Sequence, residues 1–289
     1  MFITIGIMLT KVEIEQVVMA LKDSRKYGDT HEATIRELVL VESGHYKKAK
    51  QVEKAVRKRL HSIMAPYLGD PDYERAQREL TAVFTTNDPA QIKARCHDLL
   101  YDHLSTRERL PILADFYQQI FAVTGRPRSL LDIACGLNPL AYRWMGLADA
   151  PEPVHFYAYD IHAPRIDLIN HYFQLEGLPP LGRLQDVAID PPLETADLAL
   201  FLKELPRFAR NYGSDLARTF LHNLDVRWLV VSFPTVSTHG GRSLVERYRD
   251  YFHELSDPAW PITELIFDSE LVMIANLTTD KTDEADKHG

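Results

Sequence analysis

The sequence predicts an α/β fold in which a mostly parallel, doubly wound sheet follows an N-terminal bundle of helices. Residues 129–160 run from an apolar segment through Cys135-Gly136 and a helix-compatible segment to a second apolar segment that ends on Asp160. This order is typical of strand, glycine turn, helix and strand. Strand-like and helix-like segments then alternate to residue 277, whereas residues 12–104 are helix-like almost throughout.

The N-terminal part has helical periodicity, with few strand-like runs. Asp70-Pro71 and Asn87-Asp88-Pro89 are typical helix starts. We therefore expect residues 1–104 to form a separate domain of about five helices. The predicted helices are Val12–Leu21, Thr30–Val41, Tyr46–Met64, Asp72–Phe84 and Asp88–Leu104.

The third of these helices has a high concentration of positive charge. Between His45 and His61 there are seven lysine and arginine residues and a single acid, Glu53. Solvated helix faces usually alternate in sign, so this run favours a surface for an RNA phosphate backbone over an ordinary exposed face. The residues predicted to contact RNA here are Lys47, Lys50, Lys54, Arg57 and Lys58.

Composition separates the two parts of the chain further. The 289 residues carry a net charge of -8, but residues 1–110 hold 18 basic and 16 acidic residues, whereas residues 111–289 hold 15 and 25. Cys96 and Cys135 lie far apart, which argues against a disulfide framework or a zinc site and indicates a reducing cytoplasm. The opening MFITIGIML predicts neither a signal peptide nor a membrane span, and Met8 is an alternative start.

The second part predicts a domain over residues 105–280 and a disordered, charged tail at 281–289. The helix after Pro111 should end near Gly125, and the later helices are predicted at Pro164–Glu176, Asn211–Leu224 and Ser243–Leu255. A Rossmann-like sheet of seven strands with a terminal hairpin results. The predicted strands are 129–134, 155–160, Arg183–Val187, Ala196–Lys203, Trp228–Phe233, Ile262–Phe267 and Leu271–Leu277.

The segment around Gly136 indicates a nucleoside-binding site. A glycine in such a turn lets backbone approach a ligand, and an acid at the tip of the second strand, here Asp160, can accept both ribose hydroxyls. A dinucleotide fingerprint is missing, because Asn138-Pro139 stands where further glycines would. The D-x-A-C-G motif with a downstream acid is typical of class I S-adenosylmethionine (SAM) methyltransferases. The alternative is an ordinary buried strand-helix-strand unit whose acid only caps a strand.

Further candidates lie at the other strand ends, where ligands bind in such sheets. In a SAM site, Asp186 would accept from the adenine amino group and Val187 would contact the adenine ring. Two motifs carry no predicted function. Asp190-Pro-Pro-Leu193 precedes the fourth predicted strand and lacks an aromatic residue, so we interpret it as a turn. Cys135 lies in the first strand turn, where a small packing residue fits better than a nucleophile.

Two polar segments leave alternatives open. In His103–Pro111, Ser105 or Thr106 with Glu108 resembles a helix start, and the segment's two arginines could equally reach the carboxylate of an amino-acid ligand. The loop from Ser232 to Arg242 contains a Gly-Gly pair beside serine, histidine and arginine. It suits a loop that wraps a substrate base or phosphate, or a plain mobile connection.

At these motifs the sequence resembles the aminoglycoside-resistance 16S rRNA (guanine(1405)-N(7))-methyltransferases, which act on guanine N7 in the ribosomal decoding site. The resemblance covers roughly residues 10–278, and its A-C-G-L-N-P-L and H-x-S-T-x-E-R segments are its most specific parts. The matching segments are Ser24–Tyr27, Lys58–His61, His103–Arg109, Leu131–Leu140, Leu202-Lys203, Leu205-Pro206, Ser232–Thr235 and Gly240–Arg242.

The resemblance implies SAM as donor, the assembled small (30S) ribosomal subunit as partner, and a helical domain that docks on rRNA. It implies no catalytic acid or base, since guanine N7 has a lone pair and no proton. The sequence departs from the family pattern at Thr235–His239 and Arg207–Arg210, and these departures affect the predicted target contacts more than the SAM site. The resemblance assigns Arg109 to the SAM carboxylate. It assigns the rest of SAM to Gly136, Asp160, Ile161, Asp186, Val187 and Leu202, and RNA contacts to Lys203, Ser237 and Arg242.

Two other functions remain possible on residue chemistry. A SAM methyltransferase acting on another rRNA position or a small molecule would share the cofactor site, although a small-molecule enzyme has no need of the basic helix. A non-catalytic RNA-binding module would keep that helix but would not bind SAM. In each case we expect a cytoplasmic monomer without a metal ion.

Overall fold

The computed structural model describes residues 9–64, 70–148, 152–237 and 243–278, so the predicted start at Met8 and the predicted tail lie outside the described residues. The strands are β1 Ser129–Ile133, β2 His155–Asp160, β3 Gly182–Leu184, β4 Ala196–Leu202, β5 Val226–Pro234, β6 Ile262–Ile266 and β7 Glu270–Asn276. They form one sheet of order β3-β2-β1-β4-β5-β7-β6, in which only the pairs with β7 are antiparallel. The predicted seven-stranded α/β sheet is therefore confirmed, and the strand order reverses between β1 and β4.

The helices follow the predicted pattern, apart from a short additional helix at Leu104–Arg109 and two further differences. The predicted helix Asn211–Leu224 begins at Ser214 and is preceded by an additional helix, because Gly213 has a φ of 98° that interrupts the backbone between them. The described helices are α1 Lys11–Lys22, α2 Glu32–Ser43, α3 Ala49–Met64, α4 Tyr73–Phe84, α5 Pro89–Asp102, α6 Leu104–Arg109, α7 Leu113–Thr124, α8 Tyr142–Met145, α9 Ala163–Leu175, α10 Leu205–Tyr212, α11 Ser214–Asn223 and α12 Val245–Leu255.

The second difference concerns the start of α3, which lies three residues after the predicted Tyr46. The backbone N–H groups of His45 and Tyr46 both donate to the Glu42 carbonyl, so this stretch finishes α2 rather than starting α3. Lys47 consequently precedes the helix and does not belong to its face. None of the described helices is both long and apolar enough to cross a membrane.

The five N-terminal helices divide between two hydrophobic cores. Buried residues of α1, α2 and α3, among them Val18, Ile35 and Val56, form one cluster. Leu80 of α4 and Leu99 of α5 instead belong to the cluster that covers one face of the sheet. The predicted helical N-terminal region is confirmed, but its five helices do not share one core, and the domain boundary near residue 104 stays a prediction.

The three-helix unit of α1, α2 and α3 is tied to the chain directly after β2. The His31 N–H donates to the Ile161 carbonyl at 2.7 Å, and the Ala163 N–H donates to the Asp29 carbonyl at 2.9 Å. Arg59 of α3 also donates to the Asn211 carbonyl at 3.0 Å. The unit therefore contacts the sheet at the carboxyl end of β2, the strand next to the β3 edge.

Candidate active site

Backbone strain concentrates where β1 and β4 end. Ala134 has a φ of 51° and Lys203 a φ of 61°, a region that residues with a side chain rarely adopt. Gly136, with a φ of 54°, lies so close to His103 that an added Cβ would come within 2.9 Å of the imidazole. Burial and the neighbouring arginines lower the pKa of His103 to about 3, so this ring is neutral. The strained positions flank the switch point, where ligands bind in doubly wound sheets.

Two adjoining cavities open there. The larger, of about 680 Å³, lies within the size range of ligand sites. The smaller has a free volume of only about 70 Å³, and Ala134, Glu204 and Arg207 line both. Of the residues predicted from the sequence, the larger cavity is lined by Arg109, Leu202, Lys203 and Ser237, and the smaller by Asp160, Ile161, Asp186 and Val187.

Asp160 lies at the tip of β2 with its carboxylate held by several donors. Gly136 N–H donates to Oδ2 at 3.1 Å, and His162 N–H donates to Oδ1 at 2.9 Å. Arg165 Nη1 contacts both oxygens, at 2.9 and 2.8 Å. The carboxylate is thus oriented at the wall of the smaller cavity, where a ribose would join existing donors.

Arg165 was not predicted from the sequence. It is fully buried in α9, and its Nη2 donates to Asp70 at 2.6 Å while its Nη1 holds Asp160. Asp70 in turn accepts from the Tyr73 hydroxyl. One guanidinium thus joins the N-terminal region to the acid predicted to bind ribose.

Asp186 occupies a turn rather than the end of a strand. β3 stops at Leu184, two residues before the predicted acid, because the Asp186 side chain accepts the Ala188 N–H at 3.1 Å and forms a local turn. Its other oxygen accepts from Thr34 of α2 at 2.7 Å and from the Tyr212 hydroxyl at 2.9 Å. The contact with the adenine amino group stays a prediction, and it would add to these bonds.

The smaller cavity is narrow and mostly apolar. Ile63 of α3, Val187, Phe208 and Tyr212 line it. Since its free volume is below that of common ligand pockets, an adenine ring would have to part these side chains. The three-helix unit therefore contributes directly to this wall, which the sequence did not indicate.

The arginines of the H-x-S-T-x-E-R segment have different environments. Arg107 is exposed beside the Tyr101 ring, whereas Arg109 is buried and lines the larger cavity. No side chain of the segment caps the start of α6; Thr106 donates to the carbonyl of Leu100 instead. Of the two interpretations left open, the cap is therefore wrong.

Beneath the larger cavity, Asn138 connects several polar groups. Its amide nitrogen donates to Asp132 at 2.8 Å, and its oxygen accepts from Arg109 at 3.0 Å and from Tyr117 at 2.7 Å. Complete burial raises the pKa of Asp132 to about 7, although the Asn138 bond opposes the shift. The acid of the D-x-A-C-G motif thus belongs to the floor of the site.

This shift predicts a pH dependence for Asp132→Asn. Because the folded pKa lies above the ordinary value of 3.8, the folded state binds more protons and its stability falls as pH rises from about 4 through 7. The asparagine variant lacks this loss, so its stability relative to wild type should rise by about 1–3 kcal/mol between pH 5 and pH 8. Urea unfolding at both pH values measures the difference, with exposed Asp167→Asn as control. A pH-independent difference would contradict the prediction.

Other predicted residues have the following positions. Lys203 contacts the exposed Glu108 at 2.8 Å and lies 3.5 Å from the buried Glu270, and its own side chain is only 9% exposed. Ser237 is half-buried at the wall of the larger cavity, and Arg242 lies outside the described residues. The Asp190–Leu193 segment forms no helix or strand, and burial raises the pKa of the Cys135 thiol far above its ordinary value.

The basic surface, which consists of the predicted RNA contacts Lys47, Lys50, Lys54, Arg57 and Lys58, is mostly exposed. Val52, Val56, Leu60 and Ile63 bury the opposite face of α3. Arg57 pairs with Glu53 at 2.8 Å and is the least available of the predicted RNA contacts. The exposed cations, which form no ion pair with another described residue, are Lys47, Lys48, Lys50, Lys54 and Lys58.

The site fits SAM at three points. A glycine that tolerates no Cβ lies in the first turn, an oriented carboxylate lies at the tip of β2, and Arg109 faces the larger cavity. With the seven-stranded sheet, this arrangement defines a SAM-dependent methyltransferase.

Comparison with known proteins also identifies the chain as a methyltransferase. Residues 23–274 match the family model described as ribosomal RNA methyltransferase (FmrO), and the chain belongs to that family. A 16S rRNA (guanine(1405)-N(7))-methyltransferase of Micromonospora echinospora is 34% identical over 84% of this chain and 86% of its own. One of Serratia marcescens is 33% identical over 89% and 98%.

Solved structures are similar over nearly the whole length. An rRNA methylase from Escherichia coli has a TM-score of 0.74 at 31% identity, covering 91% of this chain and 99% of its own. The 16S rRNA methyltransferase RmtF, in complex with S-adenosyl-L-homocysteine (SAH), has a TM-score of 0.78 at 27% identity, covering 93% and 99%.

Proposed function

We propose that this protein transfers a methyl group from SAM to N7 of a guanine in the decoding site of 16S rRNA, within the assembled 30S subunit. The relatives above carry the name of this reaction. The observation that supports it most is that one side of α3 displays lysines while Ile63 of the same helix lines the cofactor cavity. A small-molecule methyltransferase has no use for such a surface beside its cofactor.

The roles proposed for these residues rest on the family resemblance and, for the described ones, on the cavity that each lines. Bound SAM supplies an electrophilic methyl group on a sulfonium. Arg109 binds its carboxylate, Asp160 accepts from the ribose hydroxyls, and Val187 contacts the adenine. Leu202 packs beside the adenosine, while Ser237 and Arg242, beyond β5, contact the RNA.

None of these residues has to remove a proton from the target. Guanine N7 offers a lone pair without a proton, so catalysis consists of alignment in a water-poor cleft. The base has to leave its stack to reach the cofactor, as in other enzymes that modify bases. A methyl group and a positive charge on N7 would repel cationic aminoglycosides, so a bacterial host should become resistant to drugs that use this edge.

Mapping of the modified nucleotide tests the proposal. Purified 30S subunits treated with protein and labelled SAM should acquire one methyl group, which primer extension locates in the decoding site. Label elsewhere in 16S rRNA would favour the second candidate, a methyltransferase for another rRNA position. Absence of SAM binding by calorimetry would favour the non-catalytic RNA-binding module. We propose that the active form is a monomer, which light scattering checks.

The basic surface leads to a prediction. Changing Lys47, Lys50 and Lys54 together to glutamate should leave SAM affinity intact, because none of them lines either cavity. Affinity for 30S subunits should fall at least about tenfold, and the salt dependence should become shallower by about two to three counterions. Filter binding over a salt series measures both effects.

A matched triple variant separates local contact from net charge. Arg128, Arg218 and Arg227 are exposed and lie outside the three-helix unit. Their change to glutamate alters the net charge equally and should weaken subunit binding far less. Equal losses for the two triple variants would refute a docking role for α3.

A further inference from the structure

Glu270, the first residue of β7, is a fully buried acid surrounded by cations. Its carboxylate accepts from Arg109 Nε at 3.1 and 3.0 Å and from Arg109 Nη2 at 2.6 Å. Ser232 donates to the same group at 2.5 Å, and Lys203 Nζ lies 3.5 Å away. The ends of α6, β4, β5 and β7 therefore meet at this one carboxylate.

The free-energy cost of burying a charged carboxylate indicates that Glu270 has a role. Buried ion pairs are often no more stable than well-packed apolar residues of similar size, and β7 is otherwise an apolar strand. Burial disfavours the ionised acid, but Arg109 and Lys203 outweigh burial and hold the pKa of Glu270 below its ordinary value. The acid is therefore a permanent negative charge at the base of the cleft.

Glu270 also determines which side of Arg109 is presented. A guanidinium has five N–H donors in a rigid plane. Glu270 engages Nε and Nη2, and Asn138 accepts from Nη1. Since these contacts use three donors, two remain on a side chain that lines the larger cavity. The acid thus fixes the orientation of the cation predicted to bind the SAM carboxylate.

The larger cavity is lined by more cations than acids. Glu270 and Glu108 oppose Arg109 and Lys203. Arg207, Arg210 and Arg247 line the same cavity, with Glu204 as a further acid. Loss of the Glu270 charge would therefore make the cleft more positive by one further charge. SAM differs from its product SAH by a methyl group and the positive charge of the sulfonium. A surplus cation in the cleft would therefore disfavour SAM relative to SAH.

We propose that Glu270 is a positioning and specificity residue, which orients Arg109 toward the cofactor carboxylate and makes the cleft favour the sulfonium of SAM over neutral SAH. The inference rests on the proposed function, in that the amino-acid end of SAM occupies the larger cavity. When the lone pair of guanine N7 forms the bond to the methyl carbon, the C–S bond breaks, its electron pair stays on sulfur, and the positive charge passes from the cofactor to the base. The same acid therefore assists product release.

Calorimetric titration of the full chain with SAM and with SAH tests this role. Glu270→Gln keeps the shape but removes the charge, and it should weaken SAM binding about tenfold more than SAH binding. Glu270→Asp keeps the charge and withdraws it from Arg109, so it should weaken both ligands while leaving their ratio near that of wild type. A purely structural role for Glu270 would weaken both ligands equally in the glutamine variant.

The chain offers a matched control. Glu176 forms a similar two-bond pair with Arg143 and is 6% exposed, but neither residue lines the cofactor cavities. Glu176→Gln should leave the SAM to SAH ratio unchanged, and a shift equal to that of Glu270→Gln would overturn the proposal. If Glu270→Gln does not fold, Lys203→Gln supplies the reciprocal test, because loss of a cation should shift the ratio severalfold toward SAM. An unchanged ratio there would refute the inference.

The outcomes separate this inference from the proposed function. If wild type binds neither SAM nor SAH, the proposed function fails. If wild type binds both and methylates 30S subunits, but neither charge variant changes the ratio, only the role of Glu270 fails.

Discussion

An Asp160→Asn variant is expected to bind SAM about 100-fold more weakly than wild type. Hydrogen bonds to a charged acceptor contribute about 1.5–3 kcal/mol each. The amide keeps one acceptor oxygen, so the loss should equal about one such bond, or roughly 100-fold in affinity. The amide also places a donor against the Gly136 or His162 N–H groups that now bind this carboxylate. Calorimetry with SAM measures the loss, and thermal melting checks that the variant is folded.

Asp190→Asn provides the control for Asp160→Asn, because Asp190 is an exposed acid in the loop between β3 and β4. Its SAM affinity should equal that of wild type. A folded Asp160→Asn protein with unchanged affinity would remove Asp160 from the cofactor site and leave it as a structural partner of Arg165.

Arg165→Met is expected to cause the largest loss of stability. It leaves the buried carboxylate of Asp160 and the partly buried carboxylate of Asp70 without the cation that joins them. Breaking a buried pair in this way costs about 3–5 kcal/mol. For a chain of this size, the melting temperature should fall by about 10 °C. Differential scanning calorimetry measures the shift.

A double variant tests the cause of this loss. Adding Asp70→Asn to Arg165→Met removes one of the two stranded charges and should recover part of the stability. Arg183→Met serves as control, since Arg183 is half exposed and its ion pair with Glu194 is as long as 4.0 Å. Such a pair contributes about 0–1 kcal/mol. If the double variant were no more stable than Arg165→Met, the ion-pair explanation would be wrong.

Local patterns in the sequence predicted the framework of the site. The apolar strand before Gly136, the acid that ends β2 and the terminal hairpin all depend on neighbouring residues, so seven strands and their carboxyl ends were predictable. Asp160 reaches the smaller cavity for the same reason, because it ends a strand. Arg109 was assigned by the family resemblance, and it lines the larger cavity from the end of α6.

The partners of these residues could not be predicted in the same way. Glu270 lies 161 residues after Arg109, and Thr34 lies 152 residues before Asp186. No periodicity connects such distant positions, and a lone acid before an apolar strand looks like an ordinary loop residue. The boundary of β3 was misplaced because the local turn of the Asp186 side chain competes with strand pairing.

Ile63 and the exposed Lys50, Lys54 and Lys58 lie on a single helix, α3, with Ile63 lining the smaller cavity and the lysines facing solvent. Because α3 is one continuous helix, a displacement of Ile63 also displaces the lysines. If binding of the 30S subunit favours a wider adenine pocket, it strengthens cofactor binding. Cofactor binding must then strengthen subunit binding by the same free energy. Binding of SAM and binding of the 30S subunit are therefore expected to strengthen each other through α3.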